Sequence, residues 1–406
     1  MEKRRFIMPF VFLLCLVSGR EAQGQALTLP QTVDRALKAN PELQSVENVI
    51  KAKQGAHRQA GAAPNPEIGG VLGNRSQIFE VGQEIEFPGK RKARVDQAGE
   101  DVQVARQELK QIQVQIAAQT ALLFFDVLAA QRKRELLQEN LAVNERFLQA
   151  ARRKFEQGFG NKLDVVKGQV EVLRAKRLLL EARQELLNKQ EHLKILLRVA
   201  ADDTLRLQGQ IERSTFTARV LLDSLLTLAN RAHPALLAEQ HKLKGAQFAM
   251  RAARLAARPD FALDFEGGVE DNESRFEVGL RFPLALWDRK KGAQAEALFL
   301  KQSAEFGVES ARLELTRRVR AAFRVYASTA QSVRLFEDSL LQEAKSAAET
   351  ARQAFESGNF RFLDLVDAQR TYLDSALEYN ESLHNLRAAE INLMASVGKI
   401  VTGDLP

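Results

Sequence analysis

Apolar and polar residues alternate along four short segments of the chain. In the first half, Phe79, Val81 and Ile85 alternate with Glu80, Gly82 and glutamates further along, and the same alternation returns at 260–283. A period of two places apolar side chains on one face of a strand and polar side chains on the other. The pattern predicts two strand pairs, at about 66–88 and 260–283, of which the segment 68–72 is the least regular. Their apolar face is predicted to carry Phe79, Val81, Ile85, Phe87, Phe276, Val278, Leu280 and Phe282.

The remaining chain has a helical period. Helices are predicted at about 29–62, 90–156, 161–199, 222–257, 288–356 and 361–397. A helix of that greatest length extends for about 100 Å, so it must pack side by side with other helices. Val166, Leu173, Leu180 and Leu187 recur every seven residues, which is the spacing of a coiled-coil seam. The sequence therefore predicts a mainly α-helical protein with long antiparallel hairpins and a small β part.

The sequence contains an internal repeat. ARRKFEQGFGNKLDVVKGQVEVL, from Ala151, aligns without gaps with ARQAFESGNFRFLDLVDAQRTYL, from Ala351. Near the start of each half, ALKANPEL resembles ANRAHPAL, and Phe87-Pro88 resembles Phe282-Pro283. The predicted organisation is a first repeat at 25–200, an insertion at 201–221, a second repeat at 222–400 and a tail at 401–406.

The first 24 residues are predicted to be a signal peptide, because a basic start precedes a short apolar run and small residues. The one cysteine, Cys15, lies in that run, so the mature chain has no disulfide and no thiolate. The formal charge of +7 is spread along helices without a basic-aromatic patch, so no nucleic-acid partner is expected. The five histidines have no ligand spacing, so neither a metal site nor a cofactor is expected.

The alternating strands fit either a half-buried soluble sheet or a membrane barrel. Export, strand length and a charged polar face favour the barrel. Four strands cannot close a barrel, and lipid does not tolerate an open sheet edge, so several chains must contribute. Three chains would give twelve strands around a conduit with cyclic symmetry. The hairpin tips near Asn74 and Asn272 would then face outside, and the helices would be periplasmic.

Six motifs in order resemble the TolC-like outer-membrane efflux family, and the resemblance covers nearly the whole mature chain. They are ALKANPEL, VGQEIEFPGKRKARV, FFDVLAAQ, KFEQGFGNKLDVV, GLRFPLALWDRKKG and AFESGNFRFLDLVDAQR. The FPGKR and PLALWDR pieces resemble its heavy-metal cation efflux branch. The resemblance implies a homotrimer with a shared 12-stranded barrel and a helical tunnel. It also implies a periplasmic adaptor (membrane fusion protein), an inner-membrane pump of the resistance-nodulation-division type, contact with outer-membrane lipid, and no enzymatic activity.

The resemblance further assigns a periplasmic gate to an aspartate pair, Asp364 and Asp367. Residues three apart share a helix face, so a trimer would bring six carboxylates to one constriction. Asp364 is equally explained as a first-turn residue that favours a helix N-terminus, and the repeat matches it with Asp164. Asp367 is matched by Lys167, so repeat symmetry gives it no structural explanation.

The two helix tips resemble the family's adaptor-docking hairpins. The residues concerned are Phe155, Gly158, Leu163, Asp164, Phe355, Gly358, Leu363 and Asp364. The glycines are also explained by a tight chain reversal alone. The alternative function is a periplasmic coiled-coil adaptor or scaffold without a pore, although an adaptor has one helical hairpin where this chain has two. A periplasmic hydrolase is the remaining alternative.

Overall fold

The computed structural model describes residues 26–200, 202–211, 222–270, 273–357 and 361–400. The predicted signal peptide, most of the insertion, the second strand tip at Asn272, Gly358 and the tail lie outside these residues. The helices are α1 (Leu29–Ala39), α2 (Pro41–Ala60), α3 (Lys90–Glu156), α4 (Lys162–Leu197), α5 (Leu222–Ala232), α6 (Pro234–Leu255), α7 (Lys291–Leu335), α8 (Leu341–Glu356) and α9 (Phe362–Ser396). The strands are β1 (Glu67–Leu72), β2 (Ser76–Ile85), β3 (Phe261–Glu270) and β4 (Glu273–Arg281).

Each of the two predicted helices that precede a strand pair is broken once. The breaks fall at Asn40-Pro41 and His233-Pro234, the matching positions of the two repeats. Proline has no backbone N–H and is tolerated at the first position of a helix but not in its interior. The residue before each proline caps the new helix: Asn40 Oδ1 accepts from the Glu42 N–H at 2.8 Å, and His233 Nδ1 accepts from the Ala235 N–H at 3.2 Å.

The long helix of the second repeat also differs from its prediction. It begins at Lys291 and is interrupted by a π-helical turn, Phe336–Leu340, before α8 continues it. The ring of Phe336 lies 6.1 Å from that of Tyr379, and the Tyr379 hydroxyl donates to Glu337 at 3.2 Å. Its counterpart α3 is continuous from Lys90 to Glu156, as predicted.

The four strands form one antiparallel sheet in the order β1-β2-β3-β4. The central pairing of β2 with β3 joins the two repeats, with Val81 opposite Phe265 and Glu80 opposite Glu266. The edges are β1 and β4, and neither has a further partner within the described chain. The sheet is therefore open on both sides in a single copy.

The helix α3 organises the helical part. Its first half contacts α2 and α6, and its second half contacts α4 and α9. The outer helices of the packed layer are α4, which contacts α3 and α1, and α8, which contacts α9. An 18-residue window of α3 has a mean hydropathy of 1.5, but 56% of it is buried inside the protein. Phe124, Val127 and Leu128 in α3 are core residues, so this apolar stretch is explained by helix packing.

Candidate functional site

The sheet has one apolar face and one polar face. Val81, Phe265 and Val278 lie opposite one another across β2, β3 and β4, and Ile68 in β1 extends the row. Phe276 and Leu280 follow on the same face of β4 and are largely exposed. Phe87 and Phe282, assigned to this face from the sequence, lie beyond the ends of β2 and β4. They are outside the strands because the chain turns towards the helices there, and the Phe87 N–H donates to Asp260 at 2.6 Å.

The opposite face carries a row of like charges. Glu80, Glu266 and Glu277 lie directly opposite one another on three neighbouring strands. Like charges at opposed positions of a sheet destabilise it unless water or counter-ions screen them. Two arginines lie on this face as well: Arg275 is 2.6 Å from Glu277, and Arg281 is 2.8 Å from Asp264. This charged face is therefore suited to contact with water rather than to burial, and Glu80 and Glu266 are its directly opposed carboxylates.

The first helix tip reverses the chain through two glycines with different roles. Gly158 has a φ of +79°, a conformation that favours glycine. A Cβ on Gly160 would lie 2.6 Å from the backbone nitrogen of Phe155, so no side chain fits there. Asn161 then caps α4 by accepting from the Leu163 N–H at 2.9 Å. Phe155 and Leu163 are exposed at this turn. Phe159, which the repeat comparison did not single out, is 86% exposed.

The second tip differs, because its aromatic residue is buried. Phe355 is only 6% exposed and lies edge-on to Phe362, with ring centroids 5.8 Å apart. Lys154 of the first hairpin lies over the Phe355 ring at 4.1 Å and donates to its carbonyl oxygen at 2.5 Å. Phe355 is thus a core residue between the hairpins and not a free docking residue, whereas Leu363 is exposed. The sequence could not show this, because the two phenylalanines occupy matching repeat positions.

The two aspartates after the second tip have different surroundings. Asp364 lies in the first turn of α9 and accepts two hydrogen bonds from Arg361, at 3.0 and 3.1 Å. Asp367, one turn further on, is exposed. Asp164, the repeat counterpart of Asp364, is half-buried in the first turn of α4. Asp364 therefore has a structural role through its ion pair with Arg361, and Asp367 presents its charge to solvent.

An ion pair links the two hairpins close to these aspartates. Arg370 of α9 contacts Glu171 of α4, which also accepts from Arg174 at 3.0 Å. Arg370 lies on the same side of α9 as Asp367, three residues away. Because Glu171 engages Arg370, this arginine is drawn towards α4. No spacing in the sequence signals this pair, since it joins residues about two hundred positions apart.

Halfway along the helices, Asp126 joins three of them. Its carboxylate accepts from His384 Nε2 of α9 at 2.6 Å and from Lys189 Nζ of α4 at 2.8 Å. Burial alone would raise the pKa of Asp126, but these two hydrogen bonds outweigh it and lower the pKa below its usual value. Among the described residues, no group of three or more His, Cys, Asp or Glu side chains is arranged to hold a metal. The Asp126 cluster is therefore a structural link between hairpins.

The matches to known proteins cover both repeats of the chain. The sequence profile of the family described as outer membrane efflux protein matches residues 32–197 and 225–399. The cobalt-zinc-cadmium resistance protein CzcC of Cupriavidus metallidurans is 28% identical over 371 residues, which cover 89% of this chain and 88% of that protein. The nickel-cobalt-cadmium resistance protein NccC of Alcaligenes xylosoxydans is 23% identical, over 79% of this chain and 75% of its own length. The solved structure of CusC, described as forming a transmembrane channel, superposes with a TM-score of 0.75 at 14% identity, covering 91% of each chain.

Proposed function

This chain belongs to the outer membrane efflux protein family, and from that premise we propose that it is the outer-membrane duct of a three-component assembly exporting divalent heavy-metal cations. Its place as an efflux channel of the outer membrane, with a long periplasmic helical part, follows from the family. The assembly, the cargo and the partners are the proposed part.

The open sheet carries the proposal. Within the described part of one copy, both sheet edges, β1 and β4, are unpaired, while the sheet has an apolar face suited to lipid. An open edge in hydrocarbon leaves backbone N–H and C=O groups without partners, each at a cost of several kcal/mol. Pairing β4 of one copy with β1 of the next removes every edge, and three copies give about twelve strands around an open lumen. The duct is thus incomplete without further copies of the chain.

Two of the helices also carry exposed apolar rows. In α4, Leu173, Leu180 and Leu187 are exposed, and in α7 Phe299, Phe306 and Leu313 recur at the same seven-residue spacing and are also exposed. Exposing these apolar rows to a water-filled lumen would be unfavourable. We assign them to contacts between copies in a closed helical tunnel.

The proposed cargo rests on charge. The acidic row of Glu80, Glu266 and Glu277 faces the lumen in the proposed barrel, and Asp367 is exposed near the periplasmic mouth. Three copies would repeat each set around the axis and favour cations over anions along the path. The names of CzcC and NccC associate those relatives with cobalt, zinc, nickel and cadmium, which supports divalent metals as the cargo here.

The tip supplies the proposed docking surface. Phe155, Phe159 and Leu163 of the first hairpin and Leu363 of the second are exposed at the end of the helices that is farthest from the sheet. Apolar side chains exposed together at a helix tip suit contact with a second protein, and we assign this contact to a periplasmic adaptor. The proposed partners are a periplasmic adaptor and an inner-membrane pump of the resistance-nodulation-division type, which supplies the energy, while the duct itself performs no chemistry.

Two measurements test this function. The detergent-solubilised protein should have the native mass of three chains. In planar bilayers it should conduct cations in preference to anions, and Zn²⁺ or Co²⁺ should block this conductance at the mouth. Co-expression with a periplasmic adaptor and an inner-membrane metal pump should raise cellular tolerance to these metals. A stable monomer that carbonate washes off membranes would instead establish the scaffold alternative. A conducting trimer without any effect on metal tolerance would keep the duct and overturn the cargo.

A further inference from the structure

The loop between β4 and α7 exposes an unusual set of side chains. It covers residues 282–290 and exposes Leu284, Leu286 and Trp287 to solvent. Trp287 is 92% exposed. Its first residue is Phe282, whose ring centroid lies 6.2 Å from that of Phe261 in β3. The loop thus extends the apolar face of the sheet to the level at which the strands give way to helices.

Cations surround this loop. Trp287 is followed by Asp288 and then by Arg289, Lys290 and Lys291, and Arg91 and Lys92 occupy the matching exit of the first repeat. Of these, Lys290 is paired with Asp288 at 2.5 Å and Arg91 with Glu86 at 3.0 Å, while Arg289, Lys291 and Lys92 are exposed. Three copies would place a belt of positive charge around the molecule at the lower end of the barrel.

A groove behind the loop does not hold the tryptophan. This groove, of about 560 Å³, lies between the loop and the end of α6, and Asp260, Glu84 and Arg281 line its far side. Trp287 borders the groove, yet this residue keeps almost all of its exposure, so none of the residues that the structure describes covers it. A ring of this size, placed beside a lipid-facing sheet, needs a cover from outside the chain.

We propose that residues 284–291 form a membrane-interface anchor, in which Trp287 inserts among phospholipid headgroups of the periplasmic leaflet and Arg289 and Lys291 bind their phosphates. This inference rests on the proposed barrel. Tryptophan rings favour the boundary between hydrocarbon and water, and barrels carry aromatic residues where the lipid-facing band ends. Basic side chains near a membrane surface are attracted to anionic lipid headgroups. The anchor would fix the depth of the barrel and keep the helices clear of the membrane.

Trp287 is the only tryptophan of the chain, so the intact trimer carries its own probe. We would reconstitute it in phosphatidylethanolamine–phosphatidylglycerol vesicles and record its emission with lipids brominated near the headgroup or near the acyl chain end. An anchored ring gives blue-shifted emission, strong quenching by the shallow bromines and weak quenching by aqueous iodide. Strong iodide quenching with no response to either bromolipid would place the ring in the lumen or in water and overturn the proposal.

Two matched variants calibrate the measurement, both in a Trp287→Phe background. Val278→Trp puts the probe on the lipid face within β4 and should respond best to the deep bromines. Phe159→Trp puts it at the exposed helix tip and should respond to iodide alone. If Trp287 matches neither calibration and is insensitive to both quenchers, it is buried between copies, which also rules out the anchor.

The cationic part has its own arm. Arg289→Gln with Lys291→Gln should lower, several-fold, the phosphatidylglycerol retained by the purified trimer relative to phosphatidylethanolamine. Lys110→Gln with Arg183→Gln removes the same charge from exposed helix positions and should leave retention unchanged. Trimer mass and conductance are recorded for every variant. Intact conducting trimers without lipid enrichment reject the anchor alone, whereas loss of trimer and conductance in the unaltered chain rejects the barrel itself.

Discussion

At the residue scale, the two repeats place different residues at the same helix cap. Asn40 caps α2 and His233 caps α6, each before a proline and each accepting from the N–H two residues on. The imidazole is 5% exposed, and burial lowers the pKa of His233, helped by the nearby charge of Arg318. The buried ring is therefore held neutral, which is the form whose Nδ1 can accept the hydrogen bond.

This cap predicts a pH dependence. The folded pKa of His233 lies below the unfolded value of about 6.5, so the unfolded state takes up the proton first and stability falls as pH drops below about 6.5. His233→Asn keeps a capping acceptor but does not titrate. We expect its thermal midpoint to match the parent at about pH 8 and to exceed it increasingly below about pH 6.5. The exposed His192→Asn is the control, and equal pH slopes in parent and His233→Asn would contradict the assignment.

The exposed carboxylate of Asp367 allows a second test at this scale. Asp367→Asn removes one charge per copy at the proposed mouth, while Asp164→Asn removes one from the other hairpin. A unit charge about 4 Å from an ion contributes about 1 kcal/mol in water, so several-fold loss of cation preference is expected from the first change. Reversal potentials in a salt gradient measure it. Equal reversal potentials for the two variants would remove Asp367 from the gate.

At the element scale, β4 tests the direction of the sheet faces. Val278 lies on the apolar face beside Phe265, and Glu277 lies on the acidic face beside Glu266. Arginine near the middle of a lipid-facing strand costs about 2–4 kcal/mol, and less on the lumen face. Val278→Arg should therefore reduce the yield of assembled barrel in the outer membrane, and Glu277→Arg should be mild. Comparable losses from both changes would mean that the face assignment is wrong.

The elements also show how far sequence reasoning reaches. The bounds of α3 were predictable, because a local helical period ends at the glycines of the tip and starts after Phe87-Pro88-Gly89. The π turn at Phe336–Leu340 was not, because the periodicity of α7 and α8 gives no sign of a local change in winding. Phe155 and Phe355 look equivalent in the repeat, yet Lys154 and Phe362 cover only the second. Local pattern fixes an element, whereas its surroundings depend on neighbours that are distant in the chain.

At the scale of the whole molecule, the structure shows that the heptad row of α4 is exposed, which the sequence alone did not establish. The row was predicted as a seam, and none of the described residues covers it. Leu179 and Ala182 are buried with Leu137 of α3 and Leu373 of α9, while Leu173, Leu180 and Leu187 are exposed. A helix presents such a second apolar stripe only when something packs on both of its sides. Because α4 is an outer helix of the packed layer, the neighbour we propose for this stripe is another copy of the chain.

This argument predicts a change in assembly without a change in fold. Leu180→Glu places a charge in the proposed contact and removes apolar burial of about 1.5–3 kcal/mol at each of the interfaces between copies. Asn188→Glu adds the same charge to α4 outside the leucine row. Native mass spectrometry should show Leu180→Glu shifting from trimer to monomer, with unchanged helical circular dichroism, and Asn188→Glu remaining a trimer. A stable Leu180→Glu trimer would show that the row faces lipid-free solvent or a different protein, and the closure of the tunnel would then have to depend on α7 and the strand edges alone.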